Sequence, residues 1–368
     1  MKSSDRIALA SDNWSPAHAD LMAALETVND GPAPAYGSDT WTTAAAKAFA
    51  VEFGRGARVY FTFGGTGANV VAISSLLTGS HEAVLCSAAS HVLTDEAGAL
   101  SRFAGTTLVP VATDDAKLTV PALDSAMKQF VRGEHQVLPS VLTITNATET
   151  GRVYSAAEVQ ALTDWAHARG LMVHMDGARL ANAAAHHGTS LREISIGAGV
   201  DVLTLGGTKN GLLVGEAVVV AASRARVPES RIRHVRKQAG QLASKQRFIA
   251  AQFQTYLQSG LWKHNAEHAN RAARQLADGL SALNGARLAF PVEANMLFVD
   301  LSPQIRAAMA EVADFYVYDE ERGRCRLVCS FDTSPADITH VIAAAKAKAS
   351  TRSRRAAATR TSSRGVKV

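Results

Sequence analysis

The chain has 368 residues, 47% hydrophobic and 19% charged, a balance that indicates a folded globular protein with a large core. Its formal net charge is +5, but eight basic and no acidic residues occur from Lys346 onward, so the remainder carries a net charge of −3. This distribution argues against a nucleic-acid-binding surface on the folded body.

The cysteines and the apolar runs indicate the compartment. Three cysteines are too few, and odd in number, for a disulfide framework, which favours reduced thiols in a cytoplasmic protein without a metal site. The N-terminal segment has no apolar core of signal-peptide length. The longest apolar run, 211–222, is broken by Glu216 and is shorter than the roughly 20 residues of a membrane span. We therefore expect neither export nor membrane insertion.

The first half of the chain predicts an α/β domain. Residues 1–45, partly rich in Pro and Gly, are predicted to form an arm or loop. Beyond them, short continuously apolar β-type runs alternate with helical or loop stretches, which is typical of a mostly parallel sheet covered by helices on both faces. This domain is assigned to 46–240 with about seven strands, predicted at 59–63, 83–87, 107–112, 141–145, 171–176, 201–205 and 216–221.

Local signals place individual helices along the chain. In the segment 155–170, Ser155 and Glu158 have the spacing of a capping box, and Gly170 is suited to end the helix. After residue 240, helical stretches, two β-type runs and a further helix predict a smaller α+β domain over 241–348. The polar, basic segment 349–368 is predicted to be disordered. Predicted elements of the second domain are helices at 242–258, 264–284 and 335–348, and β-type runs at 295–301 and 324–331.

A glycine turn follows the first predicted strand. In "FTFGGTGAN" (61–69) the chain leaves a strand through Gly64 and Gly65 and enters a helix at Thr66. Glycines allow close backbone approach, and free N–H groups at a helix start suit a phosphate, although any tight strand-to-helix turn uses glycine. No G-x-G-x-x-G fingerprint is present, which argues against a nicotinamide-dependent oxidoreductase.

Three charged residues lie at the end of, or shortly after, two other predicted strands. Asp176 ends an apolar strand, Arg179 lies three residues later, and Lys209 follows the next strand within the otherwise uncharged "LTLGGTKNG" (203–211). Asp176 alone is explained equally well as a helix cap. His174 is expected to be a packed core histidine. Because ligand sites gather at the carboxyl ends of parallel strands, the charged residues and the glycine turn are predicted to share one site.

Pyridoxal phosphate requires this combination of groups. It forms an imine with a partly desolvated lysine, its pyridine nitrogen needs a carboxylate partner, and its phosphate needs backbone N–H groups. On this interpretation the glycines beside Lys209 leave room for the cofactor, and Thr208 adds a hydroxyl to the phosphate.

The chain resembles the threonine aldolases, most closely their low-specificity L-threonine aldolase branch, over roughly residues 8–348. The resemblance implies an aspartate-aminotransferase-like fold of pyridoxal-phosphate-dependent enzymes (fold type I), with the large domain followed by the smaller α+β domain. The motifs that carry it are "ASDNWS", "AYGSDTWT", "GGTGAN", "SHVLTDEAG", "HMDGARL", "GGTKNG", "RKQAGQLASK", "PVEANMLF" and "LVCSFDT".

The resemblance implies the roles of the cofactor-binding residues. Lys209 would be the imine lysine, Asp176 the partner of the ring nitrogen, and Gly65, Thr66 and Thr208 the phosphate cradle. Each of these residues lies within one of the matching motifs.

Other family positions imply contacts with the ring and the substrate. His91 would stack on the cofactor ring, and Arg179 would bind the cofactor's 3-oxygen or the substrate carboxylate. Ser11 and Arg326 would hold that carboxylate, Arg326 as a bidentate fork. Without the resemblance, His91 is explained as a capping or surface histidine and Arg326 as a solvated strand arginine.

Two further positions imply an oligomer. Tyr36 and Lys237 resemble positions that reach the active site of a neighbouring subunit, which implies a homodimer or homotetramer with shared sites. The alternatives are a packed aromatic for Tyr36 and one charge in a basic run for Lys237.

One position departs from the family pattern. Many threonine aldolases carry a histidine, often proposed to transfer protons, beside the glycine that corresponds to Gly151. This chain has Glu149 at the matching position. Either Glu149, His91 or a bound water is expected to do the acid/base work.

The expected reaction is retro-aldol cleavage of a β-hydroxy-α-amino acid such as L-threonine or L-allo-threonine, giving glycine and an aldehyde. β-Elimination and transamination use the same cofactor and remain alternatives. A non-catalytic basic protein acting through its tail is disfavoured by the acidic body.

Overall fold

The computed structural model describes residues 6–222 and 227–361, and for 350–361 the backbone alone. The chain divides into two compact units, which are described separately: a large unit, Pro16–Glu267, and a small unit comprising Met1–Ser15 and His268–Val368. The strands in the described residues are β1 (Ile7–Ala8), β2 (Arg58–Thr62), β3 (Glu82–Ser87), β4 (Thr107–Val111), β5 (Leu138–Thr145), β6 (Met172–Gly177), β7 (Val202–Gly206), β8 (Glu216–Val220), β9 (Ala286–Leu288), β10 (Met296–Leu301), β11 (Ala313–Asp314), β12 (Tyr316–Asp319) and β13 (Arg324–Val328).

Helices follow most of these strands. Within the described residues they are α1 (Ala19–Thr27), α2 (Thr40–Phe53), α3 (Gly65–Leu76), α4 (His91–Thr94), α5 (Ala99–Ala104), α6 (Val120–Met127), α7 (Ala156–His167), α8 (Leu180–His187), α9 (Glu229–Gln238), α10 (Arg247–Gln258), α11 (Leu261–Ser281), α12 (Pro303–Val312) and α13 (Pro335–Thr361). No helix in the described part of the chain is both long and apolar enough to cross a membrane.

The large unit is built on a seven-stranded sheet with the strand order β2-β8-β7-β6-β5-β3-β4. Strand β8 runs antiparallel to both of its neighbours, and the other pairs are parallel. Every residue of β3, β7 and β8 is buried, because helices cover the sheet on both faces. The seven apolar runs correspond to these strands, so the prediction of an α/β domain with a mostly parallel sheet is confirmed.

Helix α7 forms where the capping signal predicted it. The Ser155 hydroxyl accepts a hydrogen bond from the Glu158 N–H, and the Glu158 carboxylate accepts one from the Ser155 N–H. The chain then turns at Gly170, whose φ of 78° lies in the left-handed region that favours glycine.

The small unit contains a four-stranded antiparallel sheet, ordered β12-β13-β10-β9, and a short parallel pair of β1 with β11. One face of the larger sheet, including Leu297 and Leu327, packs on helices through Leu276 and Val341. Arg326 of β13 lies opposite Phe298 on β10 and therefore shares the other face with it.

The division of the chain differs from the sequence-based boundaries. Residues 1–45 do not form a single arm, because Ile7 pairs with Ala313 in the small unit while α1 and α2 belong to the large unit. The large unit continues to Glu267 rather than 240. Helix α13 extends to Thr361, so the segment expected to be disordered is helical up to that residue, and 362–368 lies outside the described residues.

Candidate active site

The glycine turn opens helix α3 beside an open space. Gly64 precedes the helix and makes no side-chain cap, so the first N–H groups of α3 are not covered by a capping side chain. A Cβ atom added at Gly64 or Gly65 would meet no atom within 4 Å. Thr66, the next residue, is half-buried. The turn therefore offers backbone donors and free volume together, as a phosphate requires.

Asp176 is held in a fixed orientation at the end of β6. Its Oδ1 accepts a hydrogen bond from the Ala178 N–H at 2.9 Å, and its Oδ2 accepts one from Asn69 Nδ2 at 2.9 Å. Two residues earlier on the same strand, His174 is fully buried between two threonine hydroxyls. Burial lowers the pKa of His174 to about 4, so this ring is neutral at pH 7, and the prediction of a core histidine is confirmed.

Lys209 lies in a 3-10 turn, Thr208–Asn210, directly after β7. The glycines before it are required by packing against protein rather than by space for a ligand. A Cβ at Gly206 would lie 2.3 Å from the Ala178 carbonyl oxygen, and one at Gly207 would lie 2.5 Å from Leu212 Cδ2. The interpretation that these glycines leave room for a cofactor is therefore wrong. The open volume is at Gly64 and Gly65 instead.

Glu216 is a site residue that sequence reasoning treated only as a break in an apolar run. It is buried on β8, and its Oε2 accepts a hydrogen bond from the Gly207 N–H at 2.6 Å. This hydrogen bond holds the backbone next to Lys209 in place. Burial raises the pKa of Glu216 to about 7. The signal available in the sequence was a single acid within a run of Val and Ala.

Asn69 and Glu96 were also missed, although both lie in motifs that carry the family resemblance. Glu96 Oε1 accepts hydrogen bonds from His91 Nδ1 at 2.9 Å and from Asn69 Nδ2 at 2.8 Å. The same Asn69 amide donates to Asp176. The Glu96 hydrogen bond is the main reason that the pKa of His91 is raised, against the opposing effect of burial.

The Glu149 carboxyl group contacts the backbone of His91. Its Oε1 accepts hydrogen bonds from the His91 N–H at 2.9 Å and from the Thr145 hydroxyl at 3.0 Å. Its Oε2 is enclosed and has no hydrogen-bond partner in the part of the chain that the structure describes. Burial raises the pKa of Glu149 to about 7, more than its hydrogen bonds lower it.

One cleft in the large unit brings together six of the twelve predicted site residues. Thr208 lies next to Lys209 in the same turn, and Thr66 follows Gly65 at the start of α3. Within the described residues, no group of His, Cys, Asp and Glu has the arrangement of a metal site. The cleft is lined by Gly65, Asn69, His91, Glu96, Thr145, Ala147, Glu149, Asp176, Ala178, Arg179 and Lys209.

Tyr36 and Lys237 do not line this cleft, but they contact each other. The Lys237 ammonium lies 5.3 Å from the centre of the Tyr36 ring, and both side chains are exposed. Tyr36 has a φ of 58°, an unusual backbone conformation for a residue with a bulky side chain.

Ser11 and Arg326 belong to the small unit. The Ser11 hydroxyl caps a short 3-10 turn by accepting a hydrogen bond from the Asn13 N–H at 3.2 Å. The Arg326 guanidinium lies 5.9 Å from the centre of the Tyr316 ring on the neighbouring strand. Arg326 is half-buried, which differs from a fully solvated strand arginine.

The chain is similar to proteins of one known family. A family model described as beta-eliminating lyase matches residues 8–302. The low specificity L-threonine aldolase of Pseudomonas aeruginosa is 44% identical over 327 residues, which are 88% of this chain and 92% of that protein. The low specificity L-threonine aldolase of a Pseudomonas species is 41% identical over 337 residues, 91% of this chain and 95% of that protein.

A solved structure of a Leishmania major threonine aldolase aligns with a TM-score of 0.87 at 29% identity, covering 93% of this chain and 99% of that chain. The fold class inferred from the sequence is thereby confirmed, as is the resemblance on which it rested. The chain belongs to the beta-eliminating lyase family and, within it, to the threonine aldolases.

Proposed function

We propose that the protein is a pyridoxal-phosphate-dependent carbon–carbon lyase that cleaves L-threonine, L-allo-threonine and related β-hydroxy-α-amino acids to glycine and an aldehyde. The observation that carries this proposal is the shared cleft, in which Lys209, Asp176 and the open glycine turn at Gly65 meet. The names of the two Pseudomonas relatives support the same activity.

The residues of the cleft fit pyridoxal phosphate. The open volume at Gly64 and Gly65 suits the phosphate. Thr66 and Thr208 would add hydroxyls to it. Lys209 would hold the cofactor covalently, and Asp176 would pair with its ring nitrogen. When bound, the cofactor supplies an electron sink for the electron pair released as a bond to the substrate Cα breaks.

The surrounding side chains orient the groups that hold the cofactor. Asp176 is fixed by two hydrogen-bond donors, so its carboxylate cannot rotate away from the cleft. His91 would lie against the cofactor ring, and Arg179, which lines the same cleft, would bind its 3-oxygen or the substrate carboxylate.

Substrate orientation is assigned to Ser11 and Arg326. A guanidinium binds a carboxylate through two parallel hydrogen bonds, which fixes the rotation of the amino acid as well as its position. By fixing that rotation, Ser11 and Arg326 would select which bond to Cα is cleaved. Family resemblance supports this assignment.

Proton transfer from the β-hydroxyl is assigned to Glu149. A carboxyl group with a pKa of about 7 is suited to accept and return a proton near neutral pH, and the enclosed Oε2 of Glu149 has capacity to do so. His91 is the alternative. The raised pKa of His91, caused mainly by Glu96, favours its protonated form and makes it a weaker candidate for the base.

The working form is proposed to be a cytoplasmic homodimer or homotetramer with shared active sites. Tyr36 and Lys237 are exposed and adjacent, as expected for side chains that extend into a neighbouring subunit. The three cysteines are free and buried, which is consistent with a reducing compartment.

Product analysis after incubation with L-threonine tests the reaction. Aldol cleavage gives glycine and acetaldehyde in equal amounts without an added keto acid. β-Elimination, which the family description makes the second candidate, gives ammonia and 2-oxobutanoate. Ammonia and 2-oxobutanoate as main products would overturn the aldolase assignment while leaving the fold intact.

The lysine assignment has its own control. Lys209→Ala should purify without visible cofactor absorbance and without a lysine adduct that borohydride can trap. Lys263→Ala, which removes an exposed lysine of the same unit, should retain both properties. A trapped adduct that persisted in Lys209→Ala would place the cofactor on another lysine.

A further inference from the structure

Glu96 is a buried carboxylate between α4 and α5. Its side chain is fully enclosed, whereas its partner His91 keeps 40% of its side chain exposed to the cleft. A buried carboxylate is costly unless its partners compensate for lost hydration. The compensating donors are His91 Nδ1 and Asn69 Nδ2, and both bind the same oxygen, Oε1.

These contacts join two residues that would lie at different parts of the cofactor. Asn69 Nδ2 donates to Glu96 at 2.8 Å and to Asp176 Oδ2 at 2.9 Å, so a continuous hydrogen-bond chain runs from His91 through Glu96 and Asn69 to Asp176. All four residues line the same cleft. We call these four residues the His91–Asp176 network.

The charges around His91 favour its cationic form. Glu96 and Asp176 are the negative groups that act on the ring, Lys209 opposes them, and the Glu149 carboxyl accepts the His91 backbone N–H. Because Glu96 Oε1 already accepts from Asn69, the His91 ring is assigned as the donor at Nδ1, which leaves Nε2 directed away from Glu96.

We propose that Glu96 is a positioning residue, which holds the His91 ring by its Nδ1–H, places a negative charge beside that ring, and couples it through Asn69 to Asp176. The importance of this position for catalysis rests on the proposed function. The electrostatic effect on His91 is a property of the chain itself and can be measured without any activity.

Glu96→Gln isolates the charge from the hydrogen bonds. Since both donors bind Oε1, the glutamine carbonyl can keep both bonds while the negative charge is removed. An opposite charge within hydrogen-bond distance commonly shifts a pKa by about 1–3 units. The His91 titration midpoint should therefore fall by about one pH unit or more.

The midpoint can be measured in the cofactor-free, full-length protein by acylation with diethyl pyrocarbonate, which reacts with neutral imidazole. Rates at His91 are followed across pH by mass spectrometry of the tryptic peptide 59–102, which contains no internal Lys or Arg. His81 lies in the same peptide and serves as an internal reference whose profile should not change.

Asp201→Asn is the matched control. Asp201 is another enclosed carboxylate that contacts a histidine, because its Oδ2 lies 2.9 Å from His167 Nε2. Removing its charge should leave the pH profile of His91 unchanged. Glu96→Asp, which retains the charge, should restore part of the wild-type midpoint.

An unchanged His91 midpoint in Glu96→Gln would overturn the inference, because a merely structural carboxylate would not set the ring's charge. Should that variant fail to fold, the wild-type protein decides: a His91 midpoint at or below about 6.5, the value for free histidine, also overturns it. If the His91 midpoint shifts in Glu96→Gln but the wild-type protein does not cleave threonine, the inference about Glu96 stands and the proposed function is wrong.

Discussion

Replacing Glu149 by glutamine tests both the burial of this carboxyl and its assigned role. Burial raises the pKa of Glu149 from 4.5 to about 7. This difference of about 2.5 pH units corresponds to about 3 kcal/mol between the folded and unfolded states. The folded protein holds this proton more tightly than the unfolded chain, so the stabilising contribution is full below pH 4.5 and is lost as the pH rises through about 7.

The free energy of unfolding of the cofactor-free protein should therefore decline between about pH 5 and pH 8, and less steeply in Glu149→Gln. Urea unfolding followed by circular dichroism at several pH values measures the slopes. The free energy of unfolding should still decline somewhat with pH in the variant, because burial raises the pKa of Glu216 to about 7 and this acts in the same direction. Glu134→Gln, which changes an exposed glutamate, should retain the wild-type slope.

The same variant should show the catalytic role. Loss of a general base typically lowers kcat by about 10²–10⁴-fold, with little effect on KM, because the interaction is made only in the transition state. The wild-type rate should rise as the pH passes through about 7, where Glu149 loses its proton. Equal pH slopes of stability in the two proteins would refute the burial argument, and a change in kcat below about threefold would transfer the base role to His91 or water.

Two substitutions test the other assigned contacts. Asp176→Asn should still bind cofactor but lose most activity, since the ring nitrogen would lose its carboxylate partner; wild-type turnover with the cofactor absorbance intact would remove Asp176 from this role. Arg326→Lys keeps the charge but loses the two-pronged contact, so kcat/KM for threonine should fall by about 10- to 100-fold, the equivalent of one charged hydrogen bond. An unchanged kcat/KM would place the substrate carboxylate elsewhere.

Local sequence patterns were sufficient for the central sheet and for placing Asp176 and Lys209 at one edge of it. The continuously apolar runs mark strands because a sheet buried on both faces excludes polar side chains. Asp176 and Lys209 could be predicted to share one site because Asp176 ends one such run and Lys209 follows another, and parallel strands end at the same edge. The capping box of α7 was equally local, since its two residues are three positions apart.

Contacts between distant segments could not be read from these patterns. Gly206 appeared to make room for a ligand, yet its neighbour is the Ala178 carbonyl, 28 residues earlier in the chain. Ile7 looked like part of an arm, but it pairs with Ala313. In both cases a local pattern is compatible with several tertiary partners, and only the packed structure selects one.

By itself, the sequence determined the fold class, the sheet edge at which Asp176 and Lys209 lie and the types of side chain available there. The tertiary structure decided which of those side chains meet and how they ionise. Asn69 links Glu96 to Asp176, and the pKa of Glu149 depends on the segments that enclose it. The physical reason is that strand formation follows from local hydrophobic periodicity, whereas hydrogen-bond partners and desolvation depend on residues far apart in the chain.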